Sequence, residues 1–380
     1  MSINPVEFCR ELVRIPSLGG REGAAVEWAA ARMDQLGFSD IEQDCYGSVT
    51  GIWQGEKPGP TLFFDCHLDV VPVTEPDLWR HPPFEAALED GKIWGRGAAD
   101  TKASLAAMLA GVASLPRTGL RGRVVLAATI HEETLTGAAV MPLIKRFKPD
   151  VFITGEPTSL NLATSQKGRV TIELRTHGRS AHTSQPELGE NAVYRMIDAV
   201  QHLPDLPKKT APLLGREVLE LTEIISEPFP NGTLVPHGCR VRMIGRILPG
   251  ETRQGYLERV KSGLKDIPGV EVGIARLSES CWTGVVLENE DFLPGWRNPP
   301  DDPWVRKILA ALAEEGLPAN VVASGCGTNA SAAGVLGIPA FIYGPGDLKQ
   351  AHIVDEWVSV EELEQGVGGF RAIALACLGG

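Results

Sequence analysis

The sequence contains little that would suit a disulfide scaffold, a membrane span or a nucleic acid surface. Its seven cysteines are scattered and none forms a Cys-x-x-Cys pair, which argues against a disulfide framework and against a thiolate zinc site. No run of about 18 apolar residues occurs, so no segment is expected to span a membrane. The net charge is −12 and no cluster of Lys and Arg stands out, which argues against a nucleic acid partner.

The N-terminus also lacks the apolar stretch of a secretory signal. The opening residues, MSINPVEFCRELV, predict instead a helix that is capped by Asn4 and has Pro5 in its first turn. A cytoplasmic location is therefore expected. The chain is 43% hydrophobic and 22% charged, which are globular proportions, and its 380 residues exceed what one compact core holds. We expect two domains.

The first part of the chain alternates helical patterns with short, continuous apolar runs. These runs are TLFFD (61–65), RVVLAATI (123–130) and DVFITG (150–155). Such runs are typical of a mainly parallel sheet that is covered on both faces. From about residue 169 the strands alternate polar and apolar residues, in the order strand–helix–strand–strand–helix–strand. We therefore predict an α/β fold in which a larger domain, 1–168 and 283–380, is interrupted by an inserted α+β domain, 169–282.

Several potential metal ligands follow the predicted strands or precede a helix. They are His67 and Asp69 in CHLDVV, Asp100 in GRGAADTKA, Glu132 and Glu133 in HEET, Glu156 in GEP, and His352 in QAHIVDE. In a mainly parallel sheet the loops at the carboxyl ends of the strands converge, so these side chains could form one site. Imidazole with several carboxylates suits Zn, Mn or Co and needs no thiolate. A partner is expected for the paired glutamates, because unpaired carboxylates beside a buried strand are costly.

The motifs HLDVVP, GRGAADTKA, HEET, GEP and GPGDLKQAHIVDE, in this order, resemble those of a known family of metallopeptidases and deacylases. That family includes acetylornithine deacetylase, succinyl-diaminopimelate desuccinylase, aminoacylase and glutamate carboxypeptidase. The resemblance covers nearly the whole chain, which implies a zinc-peptidase-like catalytic domain and an inserted lid and dimerisation domain. The segments GRSAHTSQPELGENAV and GCGTNAS are most similar to the branch of the family that is linked to selenium metabolism.

The resemblance implies a ligand set for two divalent metal ions, zinc first, with cobalt or manganese as alternatives. Asp100 would bridge the two ions. His67 and Glu156 would complete one site, and Glu133 and His352 would complete the other. Physical chemistry agrees with these roles, since a bridging carboxylate can hold two cations roughly 3.5–4 Å apart around a shared water.

Two further acidic residues have implied roles near the ligands. Glu132 matches the family's general base, which takes a proton from the attacking water and hands it to the leaving amine. Physical chemistry alone leaves the reverse assignment open, with Glu133 as the base. Asp69, two residues beyond His67, would accept the other N–H of that imidazole and fix its tautomer. The alternative is that Asp69 caps the end of the strand, and both roles could hold at once.

The inserted domain and a late loop supply the implied substrate contacts. His182 matches a histidine that polarises the scissile carbonyl in the partner subunit's site, which implies a homodimer formed through the inserted domain. Arg246 matches the arginine that binds a substrate carboxylate. Two departures accompany it, because Ile244 stands where the family usually has Asp and Thr233 where relatives carry Asn. Asn329, in GCGTNAS, replaces the Asp of many relatives and changes a charge near the substrate.

The sequence therefore predicts a dimeric, two-metal hydrolase that cuts an amide bond in a small substrate bearing a carboxylate. The product would be an amino acid freed from an acyl group or a short peptide. A carbamoyl or ureido substrate is an open alternative, because it passes through the same kind of tetrahedral intermediate. A relative that binds a ligand without turnover is the alternative outside enzymes, and the retention of Glu132 with every ligand position argues against it.

Overall fold

The computed structural model describes residues 3–203, 206, 208–230 and 232–379. The α-helices in these ranges are α1 (Pro5–Val13), α2 (Gly23–Leu36), α3 (Ala103–Ala113), α4 (Glu132–Leu135), α5 (Val140–Phe147), α6 (Ala192–His202), α7 (Arg253–Gly263), α8 (Pro303–Glu314), α9 (Ala330–Val335) and α10 (Val360–Leu378). A π-helical turn, Ala98–Lys102, directly precedes α3.

The strands of the first part of the chain are β1 (Ser39–Gln43), β2 (Val49–Gln54), β3 (Lys57–His67), β4 (Ala87–Glu89), β5 (Lys92–Trp94), β6 (Arg121–Thr129), β7 (Val151–Gly155) and β8 (Leu162–Gln166). The middle part contributes β9 (Gly168–His177), β10 (Thr210–Ala211), β11 (Gly215–Arg216), β12 (Val218–Glu227), β13 (Gly238–Ile247), β14 (Val270–Ile274), β15 (Arg276–Ser280), β16 (Val286–Glu290) and β17 (Phe292–Leu293). The last part contributes β18 (Trp296–Arg297), β19 (Val321–Ser324), β20 (Ala340–Tyr343) and β21 (Trp357–Ser359).

Side-chain caps set the ends of several helices. Asn4 Oδ1 accepts the N–H of Glu7 at 3.2 Å, and Pro5 occupies the first turn, so the predicted start of α1 is confirmed. Asp302 caps α8 in the same way. None of the helices within the described ranges combines the length and apolar character needed to cross a bilayer.

The large sheet has the strand order β1-β2-β6-β3-β7-β20-β8-β18, with β19 beside β8. Strands β6, β3, β7 and β20 run parallel at its centre, while β1, β2 and β18 pair antiparallel at the edges. Helices cover both faces. On one face Phe64 packs edge-on against Phe370 of α10, and on the other Phe63 packs against Phe147 of α5. The predicted α/β fold with a mainly parallel central sheet is confirmed.

The inserted segment forms a smaller antiparallel sheet of order β12-β13-β9-β14, with β17 beside β9. Alternate residues of β9, such as Ile172 and Leu174, pack against Met196 of α6 and Val260 of α7. The intervening residues face away from these helices, and Glu173 there accepts hydrogen bonds from arginines of β9 and β13. The alternation in the sequence thus predicted correctly an α+β layer with one covered face.

The chain passes between the two sheets at two adjacent points. A Cβ atom built on Gly168, which opens β9, would lie 2.5 Å from the backbone nitrogen of Gly295, so no side chain fits between the two connections. The hairpin β15–β16 forms its own two-stranded sheet, and its turn contains Trp282. The indole N–H of Trp282 donates to the carbonyl of Gly47 in the larger domain at 3.2 Å. The domain limits at residues 169 and 282 stay a prediction.

Candidate metal centre

The predicted ligands lie at one edge of the large sheet, where its parallel strands end. His67 is the last residue of β3, Glu156 follows β7, and Glu132 opens α4 just after β6. Asp100 lies in the π-helical turn, and His352 lies in the loop between β20 and β21. The structure therefore brings the two predicted clusters and Glu132 together, because parallel strands direct their carboxyl ends to the same edge.

Asp100 lies between two histidines and faces each with a different oxygen. Its Oδ1 is 3.1 Å from Nε2 of His67, and its Oδ2 is 3.2 Å from Nε2 of His352. Each histidine has a second carboxylate neighbour. Glu156 Oε1 lies 3.9 Å from His67 Nε2, and Glu133 Oε1 lies 3.0 Å from His352 Nε2. Two clusters of nitrogen and oxygen donors that share one carboxylate have the arrangement of a dinuclear metal site.

Glu132 and Glu133 are neighbours in sequence but have different surroundings. Glu132 is 6% exposed and its Oε1 has no hydrogen-bond partner, whereas Oε1 of Glu133 contacts His352. Glu132 also lies within ligand reach of His67 and Glu156, with their donor atoms all within 4.8 Å of one another. A buried oxygen without a donor calls for a group that this set of side chains does not provide, such as a water or a cation.

The charges of the cluster also favour bound cations. Burial raises the pKa of Glu132 and Glu156 well above the ordinary value, and neighbouring carboxylates add to the rise while His67 opposes it. Hydrogen bonds to Asp100 and Glu133 raise the pKa of His352 to about 10. Carboxylates crowded in this way are stable as anions only beside positive charge. With imidazole nitrogens among them, the donors fit divalent ions such as Zn.

The contact that the sequence predicts for Asp69 is corrected by the structure. His67 Nδ1 lies 2.9 Å from the backbone carbonyl of Asp69, whereas the carboxylate is 3.7 Å away. Because a carbonyl only accepts, Nδ1 carries the proton and Nε2 is left for a metal. The Asp69 carboxylate instead accepts the N–H groups of Glu132 at 3.0 Å and Glu133 at 2.9 Å. Unpaired N–H groups at the start of α4 attract the carboxylate, which therefore orients both glutamates.

A cavity of about 290 Å³ opens beside the ligands. All of its lining residues belong to the larger domain, and the loop after β19 contributes Cys326 and Gly327. Arg246 reaches this loop from β13, since a methyl group built on Gly327 would lie 4.0 Å from Arg246 Nη1. Burial raises the pKa of Cys326, and the positive charge of Arg246 opposes that rise. A guanidinium therefore lies at the rim of the cavity.

Asn329 and His182, both predicted site residues, do not line the cavity. Asn329 is 2% exposed, and its amide donates to Asp65 at 3.0 Å and accepts from the N–H of Gly137 at 2.8 Å. Asn329 therefore connects β3 to the segment that follows α4. His182 is exposed on the inserted domain, with Nδ1 2.7 Å from Ser184 Oγ, and its described contacts within one chain are not with the ligands. Substrate contact by Asn329 and carbonyl polarisation by His182 stay predictions.

Sequence reasoning missed a set of buried charges behind Asp100. Arg96, Lys102 and Glu356 are all buried, and Arg96 pairs with Glu356 at 2.7 Å. An arginine and a lysine flanking Asp100 in GRGAADTKA, together with the acid that ends HIVDE, were the available signals. The contact between Arg96 and Glu356 could not be predicted from these signals, because it depends on the pairing of β5 with β21, which brings together residues 260 positions apart.

The fold and the site together define a metal-dependent peptidase or amidohydrolase. Comparison with known proteins gives the family: residues 63–376 match the model described as peptidase family M20/M25/M40, and the chain belongs to this family. The uncharacterized protein YgeY of Escherichia coli (strain K12) is 30% identical over 387 residues, which cover 98% of this chain and 94% of that protein.

Solved structures share the fold at lower sequence identity. The M20 family metallo-carboxypeptidase Sso-CP2 from Sulfolobus solfataricus superposes with a TM-score of 0.76 at 16% identity, over 98% of this chain and 99% of that one. The YXEP protein of Bacillus subtilis, a dinuclear metal binding peptidase of the M20 family, superposes with a TM-score of 0.69 at 14% identity, over 98% and 96% of the chains.

Proposed function

We propose that this protein binds two divalent metal ions, zinc first, and hydrolyses an amide bond in a small substrate that carries a carboxylate. N-acyl amino acids and short peptides are the substrate classes. The observation that carries the proposal is the position of Asp100, whose two oxygens lie 3.1 Å and 3.2 Å from the nitrogens of two different histidines. A second carboxylate beside each histidine supports two sites of similar composition.

The proposed chemistry divides between the ions and the side chains. When bound, the ions would polarise the amide carbonyl and lower the pKa of the attacking water. Glu132, with a buried and unpartnered Oε1, takes the proton of that water and returns it to the leaving amine. The contact of Glu133 with His352 commits it to the second cluster and supports Glu132 as the base. Asp69 holds the two glutamates in position by accepting hydrogen bonds from their backbone N–H groups.

We infer further that the chain works as a homodimer joined through the inserted domain. Strand β12 is the last strand on one side of the smaller sheet, and its Val218 and Ile224 are exposed, as is Tyr194 of α6. An exposed strand edge with apolar side chains is suited to a protein partner. In such a dimer His182 would reach the partner's cavity, where it would polarise the scissile carbonyl.

Two finer assignments belong to the same proposal. Free cysteines at all seven positions support a reducing compartment such as the cytoplasm. The link to the selenium-related branch of the family, rather than to acetylornithine deacetylase or another single activity, is supported by the segments GRSAHTSQPELGENAV and GCGTNAS alone.

Release of free amine from a panel of N-acyl amino acids, N-carbamoyl amino acids and dipeptides tests the proposed reaction. Protein stripped of metal and then supplied with zinc, cobalt or manganese is expected to turn over at least one N-acyl or peptide member, and a chelator should abolish the reaction. Turnover confined to N-carbamoyl members would instead establish ureido hydrolysis. Bound metal without turnover of any panel member would favour a ligand-binding protein.

Replacing Arg246 tests the recognition of the carboxylate. Arg246→Met is expected to raise KM by about 10–100-fold for a substrate with a free carboxylate, because a charge-assisted bidentate pair is lost. For the corresponding substrate in which the carboxylate is replaced by an amide, KM should change little, since the amide has no charge to pair with Arg246. Arg240→Met is the matched control on β13, because Arg240 pairs with Glu223 instead of reaching the cavity. Equal KM values for wild type and Arg246→Met would overturn the assignment.

A further inference from the structure

A buried carboxylate that does not line the cavity contacts the backbone of Asp100. Glu356 is 0% exposed, and its two oxygens have separate partners. Oε1 accepts the backbone N–H groups of Ala99 at 3.0 Å and Asp100 at 3.1 Å. Oε2 accepts a hydrogen bond from Nη1 of Arg96 at 2.7 Å. One oxygen therefore contacts the backbone that carries Asp100, while the other pairs with a cation.

The backbone at Asp100 is not defined by regular helix geometry. Within the π-helical turn, Asp100 has φ −119° and ψ 86°, and Thr101 has φ −135° and ψ 25°. Gly97, just before the turn, has φ +82°, and a Cβ there would lie 2.5 Å from Cγ1 of Val70. Because helical propensity does not determine this conformation, a partner outside the turn has to hold it.

The same segment of chain supplies both a ligand and this partner. Glu356 lies four residues after His352 and directly before β21, which pairs with β5 so that Trp357 is opposite Trp94. The backbone carbonyl of Glu356 also accepts the N–H of Gly95 at 2.9 Å. The turn that carries Asp100 and the loop that carries His352 are thus fixed to each other through Glu356.

We propose that Glu356 is a positioning residue whose Oε1 orients Asp100 so that one carboxylate oxygen faces each histidine. This inference rests on the proposed two-metal function and adds a residue that touches neither the ions nor the substrate. Arg96 has a separate part. It neutralises the buried carboxylate, which would otherwise be costly, without a hydrogen bond to the backbone of Asp100.

Two double variants separate these parts. Arg96→Met with Glu356→Gln removes both charges but keeps a carbonyl oxygen that can accept the two backbone N–H groups. Arg96→Met with Glu356→Met has a similar volume and no such acceptor. Each variant removes both members of the Arg96–Glu356 pair, and each leaves the buried Lys102 without Glu356, so the two differ only in the acceptor at position 356. The affinities for two equivalents of Zn²⁺ are measured by chelator competition, and the absorption spectrum of bound Co²⁺ reports the geometry of each site.

The variant with Gln is expected to bind both ions nearly as wild type does. The variant with Met should bind at least one ion about 10–100-fold more weakly, as is typical when a metal ligand loses the partner that orients it. Its Co²⁺ spectrum should change, which loss of stability alone would not cause. If the variant with Met does not fold, Glu356→Asp replaces it, because the shorter side chain withdraws the carboxylate from the two N–H groups.

The pair of Glu217 and Arg259 in the inserted domain provides the matched control. Glu217 is 5% exposed and lies 2.8 Å from the partly buried Arg259, so replacing both by Met removes an arginine–glutamate pair in the inserted domain instead of beside Asp100. The control should bind both ions as wild type does. Wild-type affinity and spectrum in the Met variant, or in its Asp substitute, would overturn the positioning role while leaving the proposed function intact. Failure of the wild-type protein to bind two ions would overturn the proposed function, and the positioning role with it.

Discussion

Glu132→Gln is expected to lower kcat by about 10²–10⁴-fold while the protein still binds two metal ions. Glutamine has the shape of glutamate, but its amide cannot take a proton from the attacking water. The backbone N–H of Glu132 would still donate to Asp69, so the start of α4 should keep its conformation. Steady-state kinetics with the best panel substrate, together with metal analysis of the same preparation, check both statements.

Glu133→Gln is the matched control, because it alters the adjacent residue in the same helix. Because Glu133 contacts His352 at 3.0 Å, the variant is expected to bind the second metal ion more weakly, and excess metal should restore part of its activity. Excess metal should restore nothing to Glu132→Gln. Turnover by Glu132→Gln within about threefold of wild type would show that another group is the base.

Asp100→Ala should release both metal ions, whereas His352→Ala should release one. Asp100 contacts both histidine-centred clusters, so its loss removes a donor from each, whereas His352 belongs to one cluster only. The loss of affinity in Asp100→Ala should exceed the roughly 10–100-fold cost of losing a ligand's hydrogen-bond partner. Metal content after dialysis against a weak chelator distinguishes zero, one and two bound ions.

Asp347→Ala is the control for this comparison. Asp347 is an exposed acid in the same loop as His352, where it caps a short 3-10 turn, and its loss should leave both ions bound. Retention of one tightly bound ion in Asp100→Ala would contradict the bridging role and indicate two independent sites. Activity assays on the same samples would then show which ion the reaction needs.

The grouping of the candidate ligands could be predicted because they lie beside features that are visible in the sequence. His67 and Glu156 directly follow apolar runs, and parallel strands bring such positions to one edge. The atom that Asp69 offers to His67 could not be predicted, because the choice depends on where the N–H groups of α4 point after folding. The approach of Arg246 to Gly327 likewise depends on how the two sheets are placed relative to each other.

The same limit applies to elements whose partners are distant in sequence. The alternating pattern around Ile172 and Leu174 predicts a half-covered sheet, because its period is local. The hydrogen bond from the N–H of Asp100 to Glu356 joins residues that are 256 positions apart, and no local pattern predicts it. Antiparallel edges on the large sheet were also not predicted, since short strands such as SDIEQ of β1 carry a mixed polar pattern.

The strand order of the large sheet has a consequence for the synthesis of the protein on the ribosome. Strand β20 (Ala340–Tyr343) lies between β7 and β8, which are both made long before it. At usual translation speeds the strands wait on the order of 10–30 s for their neighbour, and the waiting edge of β7 is open to pairing with other chains. A nascent chain therefore carries an incomplete metal centre until His352 emerges.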